Sequence, residues 1–268
     1  MIAVESRGRL GNQLFQFAFG IGASRRLGTS FVMPDRLLRA AFTLGRYGRP
    51  LGRRRRALRY RLGRYPIVKF DNESYREPAD VLRQLTDRTQ YAGFFQSEDF
   101  FANARDEVRA AFTARPEVLR AFRERHAGLL EAPYVCCHVR RGDYLQLGIA
   151  LPLSYYADAL DLLDPDRRLR VVFVGDDLDE ARAALAGDPR VAFEHGDEVL
   201  DLLLIAHASA VVTSNSSFGW WGAWLGDPSR RVVAPRYWFG FRDGVERPGR
   251  VIPDGWEQLE VRAAGAAR

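Results

Sequence analysis

The chain has 268 residues, of which 47% are hydrophobic and 28% charged, with a formal net charge of +6 at pH 7. This length suits one large or two smaller globular domains, and the apolar content excludes a long disordered chain. No apolar run reaches the roughly 20 residues of a membrane-spanning helix, and the N-terminus lacks the apolar core of a secretory signal. The adjacent cysteines Cys136 and Cys137 exclude a disulfide framework. We therefore expect a cytoplasmic globular protein.

Arginine supplies nearly all of the positive charge, most densely at Arg53–Arg64. A basic excess is compatible with three kinds of partner: nucleic acid, an anionic membrane surface or a phosphorylated small molecule. The guanidinium fork is well suited to phosphate, although a compositional bias toward arginine would also raise the charge. The stretch interleaves arginine with tyrosine, which is one reason to weigh single-stranded nucleic acid. Its role is left open by the sequence.

Alternating short strands and helices predict an α/β protein. Met1–Ser6 is predicted as a strand, followed by a glycine turn and a helix. In the second half, the predicted strands are Pro133–Val139, Leu169–Val174, Val191–Phe193, Ala210–Thr213 and Arg231–Ala234, and the predicted helices are Tyr155–Leu163, Leu178–Leu185, Val199–His207 and Ser217–Leu225. This order is typical of βαβ units and a doubly wound parallel sheet. Ligands of such sheets bind beyond the carboxyl ends of the strands.

The first two candidate strand ends combine glycine with polar side chains. The turn after the first strand contains Gly11 and Asn12, and free N–H groups at the start of the next helix would favour an anion there. It matches neither the dinucleotide fingerprint nor the Walker motif, and a plain tight turn is the alternative. The second strand end carries His138, Arg140, Arg141 and Asp143. Charged side chains at a strand end need partners. The arginines could bind an anionic ligand, or they could pair with the aspartate of the same segment.

Two further strand ends carry acids and hydroxyl groups. Gly175 precedes Asp176 and Asp177, which could bind a metal, a ribose or a base, although capping of the next helix is the favoured role for at least one of them. Asn215, Ser216 and Ser217 begin a predicted helix and form a second anion cradle or an ordinary N-cap. No His–acid cluster of the kind that binds a metal accompanies them. The set indicates a diphosphate ligand neutralised by arginine.

Five segments, taken together and in order, resemble glycosyltransferase family 11, the α-1,2-fucosyltransferases. They are GRLGNQLFQFA at residues 8–18, YAGFFQSEDFF at 91–101, HVRRGDY at 138–144, LPLSYYADAL at 151–160 and DLLLIAHASAVVTSNSSFGWWGAWL at 201–225. The resemblance covers most of residues 1–240. It implies a GT-B fold, with two Rossmann-like domains whose parallel sheets face each other across a cleft. We place an N-terminal α/β domain on the acceptor side at residues 1–130 and a GDP-sugar-binding domain at residues 131–268.

The resemblance also implies the substrates and the site. The donor would be GDP-β-L-fucose, transferred with inversion and without a metal or other cofactor to the 2-hydroxyl of a terminal β-galactose. Arg140 and His138 would contact the donor diphosphate, while Arg141 and Asp143 would shape the motif. The remaining donor-binding residues would be Gly11, Asn12, Asp177, Asp201, Asn215, Ser216 and Ser217, with Asp201 reading guanine. Asp143, Glu98 and Asp99 are candidates for a general base.

Several alternatives stay open. A fucosyltransferase of another linkage, or another GDP-sugar transferase, would share the Arg-Arg motif. A nucleic-acid-binding protein is the rival from another class and depends on Arg53–Arg64; no nucleic-acid motif supports it. A hydrolase lacks its G-x-S-x-G elbow. The acceptor could belong to an O-antigen unit, a free oligosaccharide or a lipid-linked glycan. The basic stretch suggests loose attachment to the anionic inner membrane face.

Overall fold

The computed structural model describes residues 1–48, 65–70 and 77–262. The chain divides into two compact units, the first comprising Met1–Pro116 with Pro248–Val251 and the second the rest from Glu117 onward. The division falls earlier than the expected boundary at residue 130, because Phe122 packs within the second unit, with its ring 4.7 Å from that of His207. The Arg53–Arg64 stretch lies outside the described residues.

The first unit contains a four-stranded sheet in the order β2-β1-β4-β3, and every pair of neighbours is parallel. Its strands are β1 (Ile2–Val4), β2 (Phe31–Val32), β3 (Ile67–Phe70) and β4 (Gln90–Gly93). Its helices are α1 (Leu10–Arg26), α2 (Arg36–Ala41), α3 (Pro78–Arg83) and α4 (Arg105–Ala111), with 3₁₀ segments at Gly45–Gly48 and Glu98–Ala104.

Helix α1 forms the centre of this unit because its apolar residues extend around most of its circumference. Fourteen of its 17 residues are buried, the pattern of a core helix rather than a surface helix. Phe19 stacks on Phe95, with ring centroids 3.7 Å apart. A side chain on Gly22 would overlap the backbone of Phe100, so glycine is required for the close approach of α1 to the Glu98–Ala104 segment.

The second unit contains a six-stranded parallel sheet in the order β10-β9-β8-β5-β6-β7. Its strands are β5 (Tyr134–Val139), β6 (Arg170–Gly175), β7 (Val191–Glu194), β8 (Ala210–Val212), β9 (Arg231–Pro235) and β10 (Glu257–Leu259). Its helices are α5 (Pro116–Arg125), α6 (Ala127–Leu130), α7 (Gly142–Gln146), α8 (Leu153–Leu163), α9 (Asp179–Ala184), α10 (Glu198–His207) and α11 (Ser217–Leu225).

The strand order creates a topological switch point beside β5. The chain runs outward from β5 through β6 to β7 and then returns to the other side of β5 as β8. The two crossovers leave a crevice beyond the carboxyl ends of these strands, where ligands bind in open α/β sheets. The strand β5 is buried along its whole length, as expected for a central parallel strand.

The α/β class and the parallel sheets predicted from the sequence are confirmed. Each strand and helix predicted in the second half is present, with bounds that differ by a residue or two. The prediction that Asp176 or Asp177 caps the next helix is wrong: Leu178 occupies the N-cap of α9 and no side chain caps it. Helices α5, α6 and α7 and strand β10 were not predicted from the sequence. Among the described residues, no helix is both long and apolar enough to cross a bilayer.

Candidate active site

His138, at the end of β5, ties that strand to the end of β8. Its side chain is buried, and Nδ1 lies 2.8 Å from Oγ of Ser214. Burial lowers the pKa of the imidazole to about 3, because desolvation disfavours the charged form. His138 is therefore neutral at physiological pH, so its contribution to the site is hydrogen bonding and packing rather than charge.

The helix that follows β8 packs directly against His138. The ring of Phe218 lies 5.4 Å from the imidazole, while Trp220 and Trp221 are fully buried in the core. A Cβ atom on Gly219 would lie 2.6 Å from both Nδ1 of His138 and Oγ1 of Thr213. Real Cβ atoms do not make contacts this short, so glycine is needed at this turn of α11.

Arg140 follows β5 and is held between two carboxylates. Its guanidinium is 2.6 Å from Asp143 and 2.7 Å from Asp176, and its side chain is only 14% exposed. The guanidinium also lies 5.3 Å from the ring centroid of Tyr144, a cation–π contact. The charges thus have protein partners in this structure, and the arginine is fixed at the switch point.

Arg141 has different partners from those of Arg140. Its guanidinium donates to the carbonyl of Leu151 at 3.2 Å and forms an ion pair with Glu180. Its backbone N–H donates to Asp176. Arg141 therefore holds the loop after α7 against α9.

The segment after β8 combines an N-cap with buried amide groups. The hydroxyl of Ser216 accepts a hydrogen bond from the backbone N–H of Phe218 at 3.3 Å, which makes Ser216 the N-cap of α11. The amide of Asn215 is buried and donates to the carbonyl of Ile149 at 2.9 Å. Ser217 is the first residue of the helix, so its N–H belongs to the positively polarised end.

A pocket of about 440 Å³ lies beyond the ends of β6 and β7. Asp176, Asp177, Arg182 and His195 supply its charged and polar lining. Nδ1 of His195 lies 2.8 Å from the carbonyl oxygen of Gly175, so the ring donates there. This pocket adjoins the Arg140 site because Asp176 belongs to both.

Asp201, in the first turn of α10, is mostly buried. Its carboxylate accepts a hydrogen bond from the backbone N–H of Gly196 at 3.2 Å. Burial raises the pKa of this carboxyl group, and the hydrogen bond from Gly196 opposes the rise. This hydrogen bond joins Asp201 to the segment that follows β7. Gly196 directly follows His195, which lines the pocket. A carboxylate with few protein partners is suited to ligand N–H donors.

Gly11 and Asn12 lie in the first turn of α1, in the first unit. The N-cap of this helix, Arg9, makes no side-chain cap hydrogen bond. Oδ1 of Asn12 accepts a hydrogen bond of 3.0 Å from the amide of Gln96, and Gln13 donates to the carbonyl of Gly8 at the same distance. The side chains of this turn are thus oriented by amide contacts within their own unit.

The second unit brings together most of the predicted site residues at the ends of adjacent strands, while Gly11 and Asn12 are in the first unit. Sequence reasoning did not identify Asp176 as the partner of Arg140, nor the positions of Tyr144 and His195. The signal for His195 was available, since it lies two residues after the end of the predicted strand at Val191–Phe193. Within the described ranges, no cluster of three or more His, Cys, Asp or Glu side chains could hold a metal ion.

The sequence of residues 1–239 matches the family model described as glycosyl transferase family 11. The chain belongs to this family. It is 28% identical to an α-1,2-colitosyltransferase of Escherichia coli over 64% of this chain and 62% of the relative. It is 26% identical to galactoside 2-α-L-fucosyltransferase Sec1 of Mus musculus over 84% of this chain and 64% of the relative. The family member described here therefore spans less than two thirds of the length of these relatives.

Solved structures of fucosyltransferases share the fold of this family 11 member. POFUT1 in complex with GDP-fucose superposes with a TM-score of 0.60 at 12% identity, covering 87% of this chain and 97% of that chain. NodZ α-1,6-fucosyltransferase, co-crystallized with GDP, gives a TM-score of 0.55 at 13% identity, covering 84% and 92%. At these identities the likeness concerns the fold alone. The chain has the GT-B-type α/β fold predicted from its sequence.

Proposed function

We propose that the protein is an inverting galactoside 2-α-L-fucosyltransferase, which moves L-fucose from GDP-β-L-fucose to the 2-hydroxyl of a terminal β-galactose. The observation that carries this proposal is the fixed Arg140 at the switch point of a family 11 sheet. A guanidinium is the side chain best suited to bind phosphate through two parallel hydrogen bonds. Related proteins named as galactoside 2-α-L-fucosyltransferases support the reaction.

The donor diphosphate is assigned to Arg140 and to the start of α11. Ser216, Ser217 and the backbone of their helical turn supply hydroxyl and N–H donors there. His138, neutral and bonded to Ser214, holds the ends of β5 and β8 together beneath these groups. Because arginine and helix N–H groups supply the counter-charge, the proposed site requires no metal or organic cofactor.

The nucleoside is assigned to the pocket beyond β6 and β7. Asp177 lines this pocket, and Asp201 offers a buried carboxylate near its β7 side. Guanine presents N1–H and N2–H donors, which a carboxylate accepts well. Asn215 stabilises the turn before α11 through its hydrogen bond to the carbonyl of Ile149. Gly11 and Asn12 are assigned to the donor because of the family resemblance.

In the proposed reaction, the acceptor oxygen forms a bond to the anomeric carbon as the bond to the β-phosphate oxygen breaks. The departing GDP takes the electron pair, and the acceptor proton passes to a base or to solvent. Negative charge grows on the diphosphate, so a guanidinium fixed in advance stabilises the transition state more than the ground state. Arg140 is thus the catalytic residue of the proposal.

The general base stays unassigned. The three carboxylates considered for it are all engaged in ion pairs. Asp143 pairs with Arg140, Glu98 lies 2.9 Å from Arg105, and Asp99 lies 2.6 Å from Arg250. The geometry singles out none of them. A dissociative displacement, in which the glycosidic bond is largely broken before attack, needs little help from a base.

A second donor is favoured by one comparison. An α-1,2-colitosyltransferase is among the relatives, so the colitose nucleotide is the alternative donor with the same linkage. For the acceptor, we propose a galactose-terminated glycan, either free or carried on a lipid as in O-antigen assembly. The O-antigen relative WbnK, 25% identical over 62% of this chain, favours that context.

Calorimetry with GDP, GDP-fucose, GDP-colitose and GDP-mannose tests the donor, with EDTA present throughout. Arg140→Ala is the test variant, and Arg168→Ala, an 80% exposed arginine, is the control. The proposal predicts binding of GDP by the wild type and the control and a loss of at least tenfold in Arg140→Ala. Product linkage from a galactoside panel would then be read by NMR. Failure of the wild type to bind any guanine nucleotide would reject the donor assignment.

A further inference from the structure

The two carboxylates that hold Arg140 are anchored very differently. Asp176 uses both of its oxygen atoms: one lies 2.7 Å from a terminal nitrogen of Arg140, and the other accepts the backbone N–H of Arg141 at 3.0 Å. Its side chain is only 24% exposed. The backbone bond fixes the carboxylate independently of the guanidinium, so Asp176 is a fixed support for Arg140.

Gly142 makes room for this support. A Cβ atom at position 142 would lie 2.7 Å from the Asp176 oxygen that contacts Arg140. The backbone of Gly142 does not have a positive φ angle, so the need for glycine here is steric rather than conformational. The Arg-Gly-Asp sequence therefore allows Asp176 to approach Arg140 and Arg141 together.

Asp143 has a single partner. Its carboxylate lies 2.6 Å from Arg140, is 51% exposed and makes no other hydrogen bond within the part of the chain that the structure describes. An ion pair with one half-exposed partner contributes little to stability. The terminal nitrogen of Arg140 that it covers, Nη2, is distinct from the Nη1 atom that Asp176 contacts.

We propose that Asp176 is a positioning residue which keeps Arg140 in place, whereas Asp143 occupies the phosphate-binding side of Arg140 and is displaced by the donor diphosphate. This inference rests on the proposed function, because it takes a nucleoside diphosphate as the ligand of Arg140. A phosphate oxygen competes with the Asp143 carboxylate for the same N–H donor and repels it. Asp176 stays in place through its bond to Arg141.

The proposal predicts opposite effects from two isosteric substitutions. Asp143→Asn removes the competing charge, and we expect GDP to bind about two- to fivefold more tightly, the range that an exposed ion pair allows. Asp176→Asn must turn its NH₂ group toward either Arg140 or the N–H of Arg141, because it has only one acceptor oxygen. We expect GDP binding to weaken about tenfold or more, as for loss of a charge-assisted hydrogen bond.

Two matched controls separate these effects from general electrostatics and packing. Glu180→Gln removes another exposed carboxylate, which is 57% exposed and paired with Arg141, and should leave GDP affinity unchanged. Gly142→Ala should weaken GDP binding as Asp176→Asn does. Gly128→Ala should not, since a Cβ atom there has no neighbour within 4 Å. Thermal unfolding of each variant shows whether it is folded.

Isothermal titration of GDP decides between the outcomes. Tighter binding by Asp143→Asn and weaker binding by Asp176→Asn support the proposal, provided that Asp176→Asn has no further effect in an Arg140→Ala background. Weaker binding by Asp143→Asn, or unchanged binding by Asp176→Asn, would overturn it. So would an equal loss of affinity for guanosine, which has no phosphate, because Asp176 would then contact the nucleoside. A wild type that binds no GDP would instead reject the proposed function itself.

Discussion

Gly219 and His138 are packed so closely that a methyl group on the glycine would lie 2.6 Å from Nδ1 of the imidazole. The same Nδ1 atom lies 2.8 Å from Oγ of Ser214, so a methyl group at position 219 would also crowd this hydrogen bond. We expect Gly219→Ala to destabilise the protein by about 1–3 kcal/mol, the usual effect of overpacking a core, and to weaken GDP binding. Urea unfolding and calorimetry measure the two effects.

Gly128→Ala is the control for that substitution. It lies in a helix with open space around its Cβ position, so alanine should be neutral or stabilising by up to about 1 kcal/mol. If Gly219→Ala proved as stable as Gly128→Ala, the close packing of α11 on His138 would be incorrect.

The buried imidazole of His138 should make stability depend on pH. Burial lowers its pKa to about 3, whereas histidine in the unfolded chain titrates near 6.5. As the pH falls from about 6.5 toward 3, the unfolded state gains a proton that the native state does not, so the free energy of unfolding falls by up to about 1.4 kcal/mol per pH unit. Urea unfolding at pH 7, 6 and 5 measures this slope.

His138→Asn provides the comparison because asparagine does not titrate in this range. The burial of His126 also lowers its pKa, but this contribution is common to both proteins and cancels. We expect the slope of the wild type to exceed that of the variant by about one proton below pH 6. Equal slopes would mean that His138 is not held neutral in the native state.

Gln96 should control the orientation of Asn12 from 84 residues away, through its 3.0 Å hydrogen bond to Oδ1. Gln96→Glu replaces the donor with an acceptor, so Oδ1 of Asn12 loses this hydrogen bond and the carboxamide can keep the contact only by turning its NH₂ group toward the glutamate. We expect the KM for the donor sugar nucleotide to rise about three- to tenfold, matching the loss of one hydrogen bond. Gln84→Glu, on an exposed glutamine at the end of α3, should have no effect. Identical kinetics for the two variants would exclude a role for Gln96.

Arg230 should be essential for the stability of the second unit, because it joins the carboxyl ends of two helices. Its guanidinium donates hydrogen bonds to the carbonyl groups of Ile205, Ala206, Ala208, Gly222 and Ala223, at 2.7–2.9 Å. A cation at this position also complements both helix dipoles. We expect Arg230→Met to lower the free energy of unfolding by about 3 kcal/mol or more.

Its neighbour Arg231 supplies the control for that measurement. Arg231 is 47% exposed and pairs with Glu257 at 2.7 Å, so Arg231→Met should cost less than about 1 kcal/mol. Arg230→Lys should recover only part of the loss, because an ammonium group cannot reach all five carbonyl groups. Equal destabilisation by Arg230→Met and Arg231→Met would contradict the predicted role.

The second half of the fold was predictable from sequence because its strands are continuous apolar runs between clear turns. β5 and β6 are buried on both faces and so consist almost entirely of apolar residues, whereas β2 has two residues and β10 is mostly half-exposed. Such short elements exist only through pairing with neighbouring strands, and no local pattern indicates them. The strands β2 and β10 therefore form through pairing in the folded protein, and the local sequence does not predict them.

The candidate site was also only partly predictable from the sequence. Position relative to a strand end identified His138, Arg140 and Ser216, since parallel strands bring their carboxyl ends to one edge. The choice between Asp176 and Asp177 depended on side-chain direction. Both side chains line the pocket, and Asp176 in addition contacts Arg140 and the backbone of Arg141. Adjacent residues on an irregular turn have no fixed periodicity, so only the three-dimensional structure separates their roles.

The rate at which the adjacent thiols of Cys136 and Cys137 react measures how often the central strand β5 opens. Both are buried in β5, four and three residues before Arg140, and burial raises the pKa of each thiol. A thiol-reactive dye can therefore label the native chain only when this strand separates from its neighbours. With two cysteines in the whole sequence, the unmodified protein carries a natural kinetic probe beside the proposed donor site. Slower labelling in the presence of a nucleotide would show, without any substitution, that the bound ligand stabilises that edge.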